Sequence, residues 1–422
     1  MKYWGFIKDP LYGYVHITEL EKKVIDTRPF QRLHRIKQLV FADYVYPGAT
    51  HTRFEHSIGV MHLAGLLASS LPEQLSQEEV QEVRIAALLH DVGHGPFSHT
   101  YEHLLVKKLG KTHEDLTQWV IRSSELKDVL SEGGLNVERI AKLAVGKLLD
   151  KDKPFLDQII RSAVDVDKMD FIQRDSYHTG AEYGKVDVYR LIYTMDVVDG
   201  NLAVNITALP TLEAFVLARI ESFRTIYYHK TARAGQISLI KAMELADEDL
   251  KLTSFKNVEE FLDLDDYYVW SKLKEHGEAR KYILALERRD LLKCAYEKIF
   301  HVEDKVISSI LTNDAVRRKV EEEIAEEAKI SIDEVAIDVP SLPSIPYYHS
   351  MRFDLMDIPL IDSKAPSRRV LLKATEISRV IDVLRGFMNI IRVYTSAKSR
   401  DKVKEAAEKV LGAPPESTRV SY

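Results

Sequence analysis

The chain has 422 residues, with 59 Lys and Arg against 65 Asp and Glu; the formal charge of −6 excludes a surface coated in basic groups for duplex nucleic acid and leaves room for a local basic pocket that holds an anion. Hydrophobic residues at 45%, charged residues at 29% and 14 prolines describe an ordered, globular, helix-rich protein. Cys294 is the only cysteine, which excludes an internal disulfide framework; with no signal-peptide pattern in MKYWGFIKDPLYGYVHI and no run of roughly 18 uncharged apolar residues, the expectation is a cytoplasmic protein without a membrane segment.

Residues 3–17 alternate aromatic and polar side chains around an Asp9-Pro10…Gly13 turn, the pattern of a β-hairpin. From Thr18 the apolar spacing becomes helical, with Leu20, Val24 and Ile25 on one short helix and Phe30, Leu33, Ile36 and Leu39 on a second after Pro29. A strongly periodic helix over 54–71 runs through Ile58, Met61, Leu63, Leu66 and Leu67, carries His56 and His62, and stops before Pro72. Another over 79–90 ends at the Gly93…Gly95-Pro96 breaker. Helical patterns also cover 114–122, 136–149, 154–174 and a long run over 210–252, with a hairpin at Val197-Val198-Asp199-Gly200-Asn201 between the last two. Past Ser254 the elements shorten. An acidic amphipathic helix spans 314–329, VAIDVP at 335–340 is a β-branched strand leading into SLPSIPYYH, RVLLK and NIIRVYTS are further strands, and a final helix spans 402–411. The expected fold is mostly α: a helical core with small β-hairpins over residues 1–301, and a smaller α+β unit over residues 302–422.

The string LLHDVGHGPFSH at 88–99 holds three histidines and an aspartate, a density of imidazole that helical amphipathicity does not require. His90 followed by Asp91 at the end of a buried helix aims two side chains at one point, and neutral imidazole with carboxylate suits a divalent transition ion. The glycines and the proline end the helix and let backbone approach a ligand, while His94 and His99 follow within a few residues. Two ligands hold a metal poorly, so others must come from elsewhere. His56 in TRFEHSIG and Asp167 in SAVDVDKMDF each lie in a predicted helix among apolar neighbours, where a buried imidazole or carboxylate needs a partner that a metal supplies. His62 and His103 stand alone and read as ordinary structural histidines.

The segments FQRLHRIKQL, HTRFEHSIGVMHLAG, ALLHDVGHGPFSHTYEH, DVDKMDFIQRDSYHTG and YYHKTAR, in that order and carrying His56, His90-Asp91 and Asp167, resemble the HD-domain metal-dependent phosphohydrolases. Within that family they are similar to the deoxynucleoside triphosphate (dNTP) triphosphohydrolases. The resemblance covers roughly Trp4 to Leu250, with its motifs within 26–235, and leaves no room before Trp4 for the sterile-alpha-motif domain that the branch includes elsewhere.

The resemblance implies an HD-domain helical core in which His56, His90, Asp91 and Asp167 ligate one metal. Four mixed nitrogen and oxygen ligands with open positions suit Mn, Mg, Fe, Ni or Co better than a closed tetrahedral zinc. His94 and His113, the latter in THEDL, would face the phosphates, one of them as general acid or as the group that orients the attacking water. His99 and Glu102 would form a relay, with Glu102 standing where the family usually has aspartate. Gln38 and Asp175 would meet the sugar 3′-hydroxyl, Tyr227 would collide with a 2′-hydroxyl, and Arg53, Lys168, Arg219 and Lys230 would pair with the triphosphate. Phe171 and Phe223 replace a tyrosine and a histidine of the branch, so one hydrogen bond and one base-side contact are lost or replaced. Asp26, Gln31 and His34 fall where the branch reads a nucleotide activator, His34 in place of an arginine, and are candidates for an allosteric site; a capped helix start explains Asp26-Thr27 equally well.

The implied activity is metal-dependent hydrolysis of a dNTP to deoxynucleoside and tripolyphosphate by attack of water on the α-phosphorus, in a homodimer or homotetramer. The alternatives are another HD phosphohydrolase, acting on nucleoside monophosphates, cyclic dinucleotides or (p)ppGpp, and a non-catalytic nucleotide-binding regulator. The acidic balance and the lack of an aromatic-basic stripe disfavour single-stranded nucleic acid.

Overall fold

The computed structural model describes residues 1–71, 75–302, 313–340, 359–362, 371–383 and 387–413. Strands β1 (Tyr3–Asp9) and β2 (Gly13–Thr18) pair antiparallel. The Asp9 carboxylate accepts the N–H groups of Leu11 and Tyr12, and Gly13 takes the positive φ of +75° that closes the turn. Helix α1 (Glu19–Ile25) starts from a capping box between Thr18 and Glu21. Next comes α2 (Arg28–Gln31), which continues only as a 3₁₀ turn over Arg32–Arg35. The helix expected to reach Leu39 stops there because the backbone beyond is held elsewhere: Lys37 bridges Thr52, and the Gln38 N–H donates to the His51 carbonyl.

Helices α3 (Arg53–Ser70) and α4 (Gln77–Leu89) pack against each other, each opened by a capping box, Thr52 with Glu55 and Ser76 with Glu79. Nearly the whole circumference of α3 is buried, as expected of a central helix. Around this pair stand α5 (His99–Leu109), α6 (His113–Ser123), α7 (Leu126–Glu132), α8 (Val137–Leu143), α9 (Phe155–Ile160) and α10 (Val166–Thr179). The helix expected over 136–149 ends at Leu143. The one expected over 154–174 is two helices, broken where Asp165 turns extended and caps α10 by accepting the Lys168 N–H at 2.8 Å. Asp167 thus sits in the first turn of α10, which crosses α3.

After α11 (Val188–Thr194) the expected hairpin forms as β3 (Met195–Val198) and β4 (Asn201–Asn205). The run expected over 210–252 also divides, into α12 (Leu209–Ser222), a π turn over Phe223–Tyr227, and α13 (Lys230–Leu250), capped by His229. Then follow α14 (Val258–Leu262), α15 (Asp266–Glu275) and α16 (Arg280–Glu287).

In the C-terminal part, β5 (Lys293–Val302), α17 (Asp314–Ala328), β6 (Ala336–Asp338), β7 (Pro359–Ile361), β8 (Leu371–Lys373), α18 (Ala374–Ile377), α19 (Arg379–Val383), β9 (Phe387–Thr395) and α20 (Arg400–Leu411) follow in order. β5, β9 and β6 make an antiparallel sheet; Tyr296, Ile337, Ile391 and Val393 pack against Ile324, Ala325, Val403 and Ala407 of α17 and α20. β7 joins β4 in parallel and pairs with β8. The division expected at 301/302 falls inside β5, and SLPSIPYYH with Arg369 and Val370 lies outside the described residues. The architecture is mostly α with small sheets, and no helix among the described residues is long and apolar enough to cross a membrane.

Candidate functional site

Three elements deliver the expected ligand set. His56 lies buried in the first turn of α3, His90 caps the C-terminus of α4 with Asp91 just beyond it, and Asp167 is the second residue of α10. The Nε2 atom of His56 is 3.1 Å from Asp167 Oδ1 and 3.6 Å from Asp91 Oδ2. That of His90 is 3.4 Å from Asp91 Oδ1 and 3.7 Å from Asp167 Oδ1. Ligand atoms of His56, His90 and Asp91 all lie within 4.8 Å of one another.

The far side of each ring settles its protonation. His56 Nδ1 meets Asp170 Oδ2 at 2.8 Å, and His90 Nδ1 meets the Ala87 carbonyl at 2.8 Å, so both Nδ1 atoms carry a proton and both Nε2 atoms face the carboxylates. His90 Nε2 is buried with no hydrogen-bond partner among the described residues. Buried polar atoms are almost always satisfied, and two imidazole nitrogens beside two carboxylates are the donor set of a divalent cation; the residues fit one. Burial opposes a second proton on His56, yet Asp167 and Asp170 outweigh it and lift the imidazole to about 10, so a cation entering here displaces that proton. Burial also works against the Asp91 carboxylate, but Arg53, which donates to it, together with His90 and His94 holds it well below the usual range.

The loop after Asp91 is strained: Phe97 and Ser98 both have positive φ, 58° and 53°, although neither is glycine. Ser98 Oγ accepts from Arg53 Nε at 2.7 Å and donates to the Lys37 carbonyl at 2.6 Å, while Asp266 of α15 accepts the Phe97 N–H at 2.6 Å. These bonds place His94 against the expected ligands, its Nε2 3.3 Å from Asp91 Oδ1.

His94, His99 and His113 form a second group whose ligand atoms lie within 4.8 Å. His99 and His113 are joined by hydrogen bonds through Glu102, and His94 is held against His113 by stacking. The His94 and His113 rings are stacked, centroids 4.0 Å apart and 13° from parallel, so their in-plane lone pairs do not converge on one ion. Glu102 bridges the other pair, accepting from His99 Nδ1 at 2.8 Å and from His113 Nδ1 at 2.6 Å, besides the His113 backbone N–H at 2.9 Å. Burial, Arg53 and His113 push His94 well down, whereas at His113 the opposing effect of burial is overcome by Glu102, which raises it.

A cavity of about 380 Å³ opens on these groups, lined by His90, Asp91, His94, His99, His113 and Asp167 and by Gln38, Arg53, Lys168, Phe171, Arg219 and Tyr227. Lys168 Nζ is 2.6 Å from Asp165, and the buried Arg219 Nε and Gln38 Oε1 atoms meet no hydrogen-bond partner among the described residues. Phe171 meets Tyr227 edge-on at 6.2 Å and Phe223 lies 4.9 Å from the same ring. Asp175 lies behind this wall, fully buried, with its oxygens taken by the Tyr227 hydroxyl and by His51 Nε2 at 2.7 Å. Lys230 is outside the lining, paired with Glu297 of β5 at 3.2 Å. Asp26, Gln31 and His34 are also outside it: Asp26 is exposed on Lys22, Gln31 donates to the Ile25 carbonyl, and His34 stacks on Phe54 at 3.6 Å.

Sequence reasoning missed several lining residues, among them Arg161, which pairs with Glu114, and Arg233 with Gln236. Arg161 was hidden by the unread break before α10. Arg233 closes the quoted YYHKTAR, but its partner, Asp338, lies on a distant strand. The pair Asp170 and Arg174 behind His56 was legible as acid and base four residues apart in DKMDFIQRD.

Comparison with known proteins agrees with this geometry. The family model of the HD domain matches residues 53–175, and that of the HD associated region matches residues 186–421. The deoxynucleoside triphosphate triphosphohydrolase SAMHD1 homolog of Dictyostelium discoideum is 33% identical over 314 residues, 69% of this chain and 60% of that protein. SAMHD1 of Gallus gallus is 29% identical over 460 residues, 95% of this chain and 73% of that one. The chain therefore spans about 60% of the length of the first of these relatives. A crystal structure of a hypothetical protein from Aquifex aeolicus matches with a TM-score of 0.77 at 31% identity, over 95% of this chain and 99% of that one. With both the HD domain and its associated region in place, the chain belongs to the HD-domain phosphohydrolase family.

Proposed function

We propose that this protein is a metal-dependent dNTP triphosphohydrolase that releases deoxynucleoside and tripolyphosphate. The observation that carries the reading is the convergence of His56, His90, Asp91 and Asp167 from three elements at a cavity that the last three line and whose other walls hold two stacked imidazoles and several cations. Similarity to deoxynucleoside triphosphate triphosphohydrolases supports the substrate class.

The four ligands would hold one divalent ion of Mn, Mg, Fe, Ni or Co, which when bound supplies Lewis acidity toward a phosphoryl oxygen and acidity to water. His94, kept neutral by burial, accepts the proton that water loses as it attacks the α-phosphorus. The bond from that phosphorus to the 5′-oxygen breaks, and His113, whose charge Glu102 sustains, donates the proton that the leaving alkoxide takes up, with His99 resupplying it through Glu102. Arg53 and Lys168 first offset Asp91 and Asp165, so Arg219 is the guanidinium left for the phosphates. Tyr227, fixed by Asp175, presents its ring where a ribose 2′-hydroxyl would collide, and Gln38 offers to the 3′-hydroxyl an amide oxygen that has no partner among the described residues.

The test is to incubate the purified chain with each dNTP and each divalent ion and resolve the products by anion-exchange chromatography, with Asp167→Ala alongside. Equal amounts of deoxynucleoside and tripolyphosphate are expected, and neither bound metal nor products with the variant. Release of pyrophosphate or orthophosphate instead, or normal turnover by Asp167→Ala, would overturn the assignment.

A further inference from the structure

The C-terminal sheet reaches the cavity through one ion pair. β6 ends in Asp338, a buried carboxylate that accepts Arg233 Nε at 3.0 Å and Nη2 at 2.5 Å. Gln236 Oε1, itself a lining group, accepts Arg233 Nη1 at 2.7 Å, and the Gln236 amide is anchored on the Val40 carbonyl at 3.1 Å. A guanidinium carries five N–H donors. Three are engaged here, so Nη1 and Nη2 each keep one that meets no acceptor among the described residues, on a side chain that lines the cavity.

Two observations separate this group from the phosphate-facing cations. Its charge is offset by a two-point contact with Asp338, which makes it a poor ligand for a triphosphate and a good fixed donor to an uncharged acceptor. The carboxylates around it also differ: Arg219 feels Asp165 and the expected ligand Asp167, whereas Arg233 is bonded to Asp338 of β6, with Tyr228 near both. Arg233 is thus fixed on the side of the cavity that the C-terminal sheet reaches, and none of its hydrogen bonds among the described residues is to an expected metal ligand or to His94 or His113.

We propose that Arg233, oriented by Asp338, reads the nucleobase by donating to a carbonyl oxygen at position 6 of guanine or position 4 of thymine, and so selects dGTP and dTTP over dATP and dCTP. Adenine and cytosine present an amino group at the same position, so that an N–H would face the N–H donor of Arg233 where guanine and thymine offer an acceptor. Arg233 is the specificity residue and Asp338 a positioning residue supplied by the C-terminal unit, which thereby completes the nucleotide site. The proposal rests on the dNTP reading above.

The test compares kcat/KM for the four dNTPs in the wild type, Arg233→Met, Arg233→Lys and Asp338→Asn, with equilibrium binding of the same dNTPs in the absence of divalent metal as a second arm. The wild type should favour dGTP and dTTP by about tenfold or more; the ratio should fall below about twofold in Arg233→Met, return in part in Arg233→Lys, and shrink in Asp338→Asn. Equal rates for the four substrates in the wild type, or a ratio that Arg233→Met leaves intact, would overturn it. Should Arg233→Met fail to fold, the ratio in Asp338→Asn decides. If no dNTP is hydrolysed, the proposed activity falls while the binding arm still rules here: tighter dGTP and dTTP support base reading, and four equal dissociation constants refute it.

Discussion

Asp170 touches no expected metal ligand except His56, yet it sets that ring's orientation. Its two oxygens accept Arg174 Nε at 2.8 Å and Nη2 at 2.9 Å while Oδ2 also holds His56 Nδ1, and Arg174 reaches on to Asp9 of the N-terminal hairpin at 3.0 Å. Asp170→Asn should weaken metal binding by about 10–100-fold, read by competition with a chelator; an unchanged affinity would show that the ring needs no such brace. Asp266 gives a pH-dependent prediction. Burial pushes its carboxyl up to about 6, and the backbone donors of Phe97 and Lys37 only partly offset this. The folded chain therefore holds that proton more tightly than the unfolded chain, whose value is near 3.8. Stability from this group is present below about pH 4, declines as pH rises to about 6, and is flat above, a change of up to about 3 kcal/mol. Denaturant titrations of wild type and Asp266→Asn should show their stability difference moving by that amount, in the variant's favour, from acid to neutral pH. A difference independent of pH would contradict it.

At the scale of elements, α3 and α10 approach closely at Gly59, where an added Cβ would lie 1.9 Å from Asp170 Oδ1 and 2.4 Å from Arg174 Nη2. Alanine favours a helix over glycine by about 1 kcal/mol. The clash with a buried ion pair should outweigh this, so Gly59→Ala is expected to be destabilised by about 1–3 kcal/mol and to lose metal affinity, checked by thermal melts with and without Mn. A variant more stable than wild type with intact affinity would contradict the packing argument. Much of this frame was legible because its signals are local: the 3–17 hairpin from its turn, and helices 54–71 and 79–90 from periodicity and the proline and glycine breakers that end them. Asp91 and His90 announced themselves at a helix end. The breaks were not legible. Apolar spacing continues from Ile159 and Ile160 through Val164 to Val166 and Met169, so only the single cap Asp165 marks the interruption that brings Asp167 to the start of α10. The π turn in 210–252 and the early end of the 30–39 helix likewise depend on partners far away in the chain, as does the meeting of Arg233 with Asp338.

Across the whole molecule, the C-terminal unit braces the wall built by the π turn and the start of α13. Arg392 of β9 is buried, accepted by Glu297 at 2.5 Å and by the Tyr228 carbonyl, and the Tyr394 hydroxyl donates to the Lys230 carbonyl at 3.2 Å. Arg392→Ala leaves Glu297 with only the part-exposed Lys230 and the Tyr228 carbonyl without this donor, and should cost about 2–3 kcal/mol by denaturant titration; a loss under about 1 kcal/mol, the range of an exposed pair, would show that this contact is peripheral. The proposed activity depends most on one cation held by side chains from α3, the end of α4 and α10. Anomalous diffraction at the manganese edge from Mn-soaked crystals tests that directly. It should show a single peak in bonding contact with the Nε2 atoms of His56 and His90 and the carboxylates of Asp91 and Asp167, whereas a peak among His94, His99 and His113, or none in the cavity, would contradict it.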